Sequence, residues 1–495
     1  MNLQMLEPHA LWSIFASVCS IPHPSHNEAG LAAWIRDRAA AKGIEVSVDA
    51  AGNLLLRAPA TAGREGAPGL VLQAHLDMVG QADADAMHDF RSDPIRPRLC
   101  ATESDWLEAS GTTLGADDGI GLAAALAFIE SDDCVHGPLE CLFTVNEEDG
   151  MTGARAVQRD SLRGSVLLNL DHEDVAEICI GCAGTARIRA ELDAAAEPAA
   201  ADLDWLNVAV GGLLGGHSGA DIHLGRGNAS RALAELLLRS GERSPWRLAS
   251  FEGGSAANAI PREARALVAV PSSSRRSWDR HFAEALDDLA NRFGSADPGL
   301  RATAAQAAAS GWALPPDRSA SILASILALP NGLISLSPDV PGMVQSSCNL
   351  GILKLSGGPS SRLEALAMVR SSNEVEKEGI ASQVEGSFRA LGAKTSRPSA
   401  APAWTPEPAS RLLAIATETY RDLSGEDATV MATHGGLECG LFRPVFPHWD
   451  MLSIGPTIRF PHSPRERVHI PSVERFWRFL VALAERLAYV DGTFK

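Results

Sequence analysis

The sequence predicts an α/β protein: a mixed, mostly parallel sheet flanked by helices and interrupted by an inserted α+β domain. Three observations carry this. Short, uniformly apolar runs alternate with helical patterns over the first ~180 residues, as buried parallel strands and their crossover helices require. The texture changes near Thr185 to looser strand and helix patterns. After an Ala-, Pro- and Ser-rich stretch, Ser396 to Pro408, α/β patterning returns. The reading is a larger α/β domain in two parts, 1–184 and 397–495, around an insert at 185–396.

The elements follow in order. Ala29 to Lys42 places Leu31, Trp34 and Ile35 on a helix that Gly43 stops. Strand-like runs cover Asn53–Leu56, Gly69–Gln73, Leu139–Val145 and Val166–Leu170, with a helix at Gly121–Ile129. In the insert, strands at Ala186–Leu192 and Asn207–Val210 precede a helix at Ala229–Leu238. A second round of such patterns, Arg301 to Arg389, suggests a degenerate duplication without a visible sequence repeat. Beyond the linker come a helix at Ser410–Leu423, a Gly-rich loop at Thr433–Gly440 and a strand near Met451–Ile454. A last helix carries Val473, Phe476, Trp477, Leu480, Val481, Ala484 and Leu487 on one stripe, with Ser472 as its expected cap.

Composition removes several function classes. Of 495 residues, 45% are hydrophobic and 21% charged, which excludes a largely disordered chain. Lys plus Arg is 43 against 61 Asp plus Glu, a formal net charge of −18. Such a surface repels phosphate backbones and anionic lipid, so neither nucleic acid nor membrane is an expected partner. No apolar run approaches the ~20 residues of a membrane span. The nearest thing to a signal segment, Leu11 to Ile21, has no basic residue before it; the first is Arg36. Eight scattered cysteines then read as reduced thiols in a cytoplasmic protein. Cys179 and Cys182 lack a second pair and do not read as a structural zinc site.

The chemistry collects where apolar runs end. Val71–Ala74 leads into His75-Leu76-Asp77, and Thr112–Ala116 into Asp117-Asp118. Leu142–Asn146 leads into Glu147-Glu148-Asp149, and Leu167–Leu170 into Asp171-His172. Open α/β sheets bind ligands beyond the carboxyl ends of their strands. One such acid is normally a turn or cap residue. Four junctions on one rim are different, and the adjacent Glu147 and Glu148 repel each other unless a cation or proton compensates. Imidazole with several carboxylates and no thiolate suits Zn²⁺, Mn²⁺ or Co²⁺, and the set is large enough for two ions.

His75-Leu76-Asp77, Gly115-Ala116-Asp117-Asp118-Gly119, Asn146-Glu147-Glu148, Asn169-Leu170-Asp171 and Gly455–Ser463, which contains His462, resemble the co-catalytic zinc peptidases of the aminoacylase and carboxypeptidase G2 type. Within that clan the chain is similar to the aminoacyl-histidine dipeptidase branch, also called cytosol non-specific dipeptidase or peptidase D. Ile21-Pro22-His23-Pro24-Ser25 and Gly181-Cys182-Ala183-Gly184 resemble that branch too, so the likeness runs nearly end to end.

The resemblance implies two divalent metal ions, zinc first, with manganese or cobalt as alternatives. His75 and Asp171 would hold one, Glu148 and His462 the other, and Asp117 would bridge them. Glu147 would be general base and then acid, and Asp77 would orient His75. The insert would be a lid through which homodimers form. Its His217, in Gly215-Gly216-His217-Ser218-Gly219, would stabilise the tetrahedral oxyanion. Asn258 and Arg370 would meet the substrate's carboxylate, and Gly435 and Gly436 would offer backbone N–H groups. The implied activity is cleavage of unblocked L-dipeptides, a range that can include Xaa-His and β-Ala-His. The rival readings are N-acyl amino acid deacylation, tripeptide cleavage, and a non-catalytic metal- or peptide-binding relative. Asp118 departs from the branch, where Asn is common, and places an extra acid beside the expected bridge.

Overall fold

The computed structural model describes residues 3–242 and 244–490. They form two compact units. One contains residues up to Gly181, Pro406–Thr433 and those from Leu437 on. The other contains Cys182–Thr405 and His434–Gly436.

In the first unit the apolar runs become the middle of an eight-stranded sheet. Leu139–Thr144, Leu70–His75, Val166–Asn169 and Asp450–Ser453 lie side by side and parallel. Leu70–His75 and Leu139–Thr144 are buried at every position, which is why they read as continuous apolar runs rather than alternating ones. Leu54–Ala58 joins antiparallel on one side and Glu177–Cys182 on the other, so the sheet is mixed. The helix Ala116–Ile129 is buried from Asp118 to its end, and it packs on the helix His9–Ser20. The apolar stretch from Leu11 is thus a core helix burying Leu11, Trp12, Ile14, Phe15 and Val18. No described helix is long and apolar enough to cross a membrane.

The last helix, Ile470–Ala488, buries Val473, Phe476, Leu480, Ala484 and Leu487, as the stripe predicts. Its cap differs. His469 stands at the cap position, while the Ser472 hydroxyl donates to the His469 carbonyl and accepts from the Thr457 amide. Pro471 in the first turn lets the helix start earlier than a Ser-based signal suggests.

The second unit holds a ten-stranded sheet with an internal duplication. One half runs strand Leu203–Gly211, helix Ala229–Ser240, strands Arg247–Gly253 and Ala264–Pro271, helix Arg275–Phe293 and strand Arg301–Gln306. The other repeats the order β-α-β-β-α-β: Gly184–Asp193, Pro316–Ala328, Val344–Leu355, Arg362–Ser371, Glu374–Ala390 and Lys394–Ser396. In each half the spatial order, from the middle of the sheet outward, is second, third, first, fourth strand. The second strands pair antiparallel across the middle, Phe251 with Leu355 and Gly253 with Leu353. The duplication is therefore present, but the second copy begins at Gly184, and the first is threaded through it. That threading hides the repeat from a linear reading.

The stretch expected to be a linker belongs to this unit. Ala400–Ala401 pairs with Thr185–Ala186, and Trp404 is buried and bridges Cys182. The unit accordingly ends at Thr405 rather than near residue 396. Composition marks flexible chain well but says nothing about a single anchoring tryptophan.

Candidate active site

The first unit gathers His75, Asp77, Asp117, Glu147, Glu148, Asp171 and His462. His75 ends its strand; Glu147 and Glu148 follow Leu139–Thr144, and Asp171 follows Val166–Asn169, so adjacent parallel strands aim them at one rim. Asp117 lies between its two imidazoles. One carboxylate oxygen is 3.2 Å from His75 Nε2, the other 3.2 Å from His462 Nε2. His75 Nε2 is also 3.6 Å from Asp171, and His462 Nε2 is 3.0 Å from Glu148 Oε1. That Glu148 oxygen is buried without a hydrogen-bond partner among the described residues.

These separations fit cations. Ligand bonds of about 2.0–2.2 Å in a tetrahedron put neighbouring ligand atoms roughly 3.3 Å apart. Three groups of donors have their ligand atoms within 4.8 Å of one another: His75 with Asp118 and Asp171; His75 with Glu147 and Glu148; and Asp117 with Glu148 and His462. An orphaned buried carboxylate oxygen facing an imidazole nitrogen is what a cation site leaves when only protein atoms are counted.

The acids' crowding shows in their proton affinities. Burial pushes Glu147 well above the usual carboxylate range, and the charges of Asp171, Glu438 and Glu148 add to it. Asp171 and Asp118 are raised well above normal, first by burial and then by Asp117. His75 moves the other way from what burial alone would do: Asp171, Asp117 and Asp77 hold its pKa well above the ordinary value. The carboxylates of Asp117 and Glu148 beside it raise His462 to about 11.

Asp77 does more than face His75. The close acceptor of His75 Nδ1 is the Asp77 backbone carbonyl at 2.9 Å, with the carboxylate at 3.6 Å. The carboxylate instead accepts from the Glu147 amide at 2.8 Å, the Glu148 amide at 3.2 Å and the Ser25 hydroxyl at 2.7 Å. Asp77 thus contacts the imidazole through its backbone carbonyl and the Glu-Glu turn through its carboxylate. Burial opposes its charge, but His75 and these donors hold it at about 2. Asp118 is buried and accepts the His75 amide at 3.2 Å. A Cβ on Gly121 would lie 2.1 Å from Asp118, so glycine is required there.

The second unit gathers His217, Asn258, Arg370, Gly435 and Gly436. His217 Nδ1 accepts from the Gly219 amide at 3.2 Å and the Ala220 amide at 3.1 Å. That leaves the proton on Nε2, a donor on an exposed ring. Burial and the charge of Arg370 lower the His217 pKa, which keeps the ring neutral. Arg370 is 7% exposed and its Nε has no partner among the described residues. Burial, then Arg187, lowers it to about 10. Its NH1 reaches only the His434 carbonyl, at 3.5 Å. Asn258 is exposed, and its backbone carbonyl accepts the Ser218 amide at 2.7 Å.

Residues 71–486 match the peptidase family M20/M25/M40. The chain belongs to that family. As an M20/M25/M40 peptidase it is 40% identical over 486 residues to the cytosol non-specific dipeptidase of Escherichia coli K12, covering 98% of this chain and 99% of that one. Aminoacylhistidine dipeptidase from Vibrio alginolyticus superposes with a TM-score of 0.91 at 37% identity, over 98% of both chains. A Staphylococcus aureus tripeptidase shares the fold at TM-score 0.61 and 16% identity, over 98% of this chain and 99% of that one.

Three groups, Glu438 and Glu466 buried and His434 half-buried, escaped the sequence reading. His434 precedes the glycines picked out; its Nε2 meets the Ser347 hydroxyl at 2.7 Å and its Nδ1 is bare. Glu438 accepts from Gln73 at 2.5 Å and Thr144 at 2.7 Å, with its other oxygen unpartnered. Glu466 accepts four backbone amides. A charged residue after glycines or prolines reads as solvated surface, and only its burial reveals otherwise.

Proposed function

We propose that this peptidase is a cytoplasmic dipeptidase that hydrolyses unblocked L-dipeptides with the help of two divalent cations, zinc first. The observation that carries it is Asp117, whose two carboxylate oxygens each face one imidazole at 3.2 Å. His75 and Asp171 would hold one cation, Glu148 and His462 the other, and Asp117 both. When bound, the pair supplies Lewis acidity that makes water a nucleophile at neutral pH and polarises the scissile carbonyl.

The chain's own groups do the rest. Glu147, kept in place by the Asp77 bond to its amide, takes the attacking water's proton and passes it to the departing amine nitrogen. The Nε2–H of His217 donates to the oxygen that becomes negative. Arg370 receives the substrate's carboxylate, which supplies an acceptor for its unpartnered Nε, with Asn258 and the amides of Gly435 and Gly436 completing the substrate contacts. The likeness to cytosol non-specific dipeptidase and aminoacylhistidine dipeptidase supports both the dipeptide substrate and the cytoplasmic location. The same reading makes the second unit a lid and the contact of a homodimer, for which sedimentation velocity should return two chains.

The test is a substrate panel: Ala-His, β-Ala-His, Gly-Leu, an N-acetylated analogue and a tripeptide. Each is assayed after chelation and after return of Zn²⁺, Mn²⁺ or Co²⁺. Cleavage of the free dipeptides should return with metal, and Glu147→Ala should lower kcat by about 10²–10⁴-fold. Turnover of the acetylated compound alone would make the protein a deacylase, and turnover of the tripeptide alone a tripeptidase. Two bound cations without any turnover would make it a binding relative.

A further inference from the structure

We propose that Glu466 is a positioning residue that staples the loop carrying His462 to the backbone that aims Asp117. The inference rests on the cation-site reading above. Glu466 Oε2 accepts the amides of Leu114 at 2.8 Å and Gly115 at 3.0 Å. Its Oε1 accepts those of Ala116 at 2.7 Å and Asp117 at 3.3 Å. Four consecutive backbone donors thus converge on one carboxylate that is 2% exposed.

The local chain is shaped for this. Gly115 sits at φ 71°, a conformation glycine adopts without strain, and a Cβ there would lie 2.9 Å from Met78 Sδ. The turn makes a concave nest of N–H groups at the start of the helix Ala116–Ile129, where a negative charge is favoured. Glu466 is in turn tied to the other loop: its own amide donates to the Ser463 carbonyl at 2.9 Å, one residue past His462. The carboxylate therefore holds in register two loops 350 residues apart in sequence. Asp117 and His462, which meet at 3.2 Å, ride on them. No other acceptor for these four amides exists among the described bonds, so the register depends on this one side chain.

Glu466→Gln is the informative change. The amide NH₂ would turn two N–H donors toward two others, so one half of the nest loses its acceptor. Glu140→Gln is the control. Glu140 is also a buried carboxylate, accepting the Arg163 amide at 2.7 Å, the Gly164 amide at 2.9 Å and Arg57 Nε at 3.0 Å. It lies near the start of the strand whose far end leads to Glu147.

Cation stoichiometry and affinity are measured by chelator competition, alongside thermal unfolding and steady-state kinetics. Wild type should hold two cations. Glu466→Gln should weaken the more loosely held one by about 10–100-fold and lower kcat at limiting metal, with KM unchanged. Glu140→Gln should lose thermal stability while keeping wild-type cation affinity. Should Glu466→Gln not fold, Glu466→Asp, which keeps the charge one methylene short, is measured the same way. Wild-type affinity with kcat within twofold in the Glu466 variant would reduce Glu466 to a structural carboxylate and overturn the proposal. Wild type that binds no pair of cations would instead overturn the site reading beneath it.

Discussion

In the first unit, the carboxylates of Asp117, Asp118, Glu147, Glu148 and Asp171 crowd around His75 and His462. In the second, Arg370 lies buried with a bare Nε beside neutral His217 and His434. One region crowds more carboxylates than imidazoles, so that burial and mutual repulsion raise the proton affinity of several of them; the other buries a guanidinium whose Nε has no partner among the described residues. Neither arrangement stabilises a fold, because crowded buried acids and an unpaired buried guanidinium both cost free energy. On the proposed reading each is half of a complex: cations would complete the first, and the substrate's carboxylate the second. The two units teach that a binding site can be recognised by the sign of what is missing from it.

Changes in the second unit should alter substrate handling and leave cations alone. The largest effect is expected for His217→Ala, which should lower kcat by about 10²–10³-fold with cation content unchanged by metal analysis. Loss of cations in that variant would break the division of labour between the units. Next, Arg370→Met should raise KM for free dipeptides by about 50-fold, the value of one charged hydrogen-bonded contact. It should also erase the preference for a free dipeptide over its C-terminal amide. Thermal unfolding without substrate should show the same variant no less stable than wild type, because a buried unpaired charge has gone.

The smallest effect sharpens the other side of the comparison. Burial raises Glu438 to about 7, partly opposed by His75, Thr144 and Gln73. The metal-free folded state thus keeps a proton that the unfolded chain releases from pH 4.5 upward. Its stability falls as pH climbs from 5 through 7. Glu438→Gln carries no such proton, so its advantage over wild type in urea unfolding should grow by about 2 kcal/mol between pH 5 and 8. A pH-independent difference would mean that Glu438 is charged throughout.

Legibility followed locality. Strands such as Leu70–His75 and Leu139–Thr144 were readable because burial on both faces leaves a continuous apolar run. The acids and histidines beyond them were readable because strand ends are where such sheets hold ligands. The duplication in the second unit was only half visible, since one copy is split by the other between Gly184–Asp193 and Pro316–Ala328. The run Ser396–Pro408 misled because its composition is that of a linker, while Ala400, Ala401 and Trp404 are anchored.

The sequence by itself determined the α/β class, the inserted second unit, and the residue types that make a cation-hungry rim, because each is written in periodicity or in a short motif. Tertiary structure alone decided that Asp117 meets His462 across 345 positions, that Glu466 fills a nest of amides, and that Arg370 is buried with its Nε unpartnered among the described residues. Burial and pairing depend on contacts between distant segments. A side chain's charge is local, but whether that charge is solvated, paired or left waiting is a property of the whole fold.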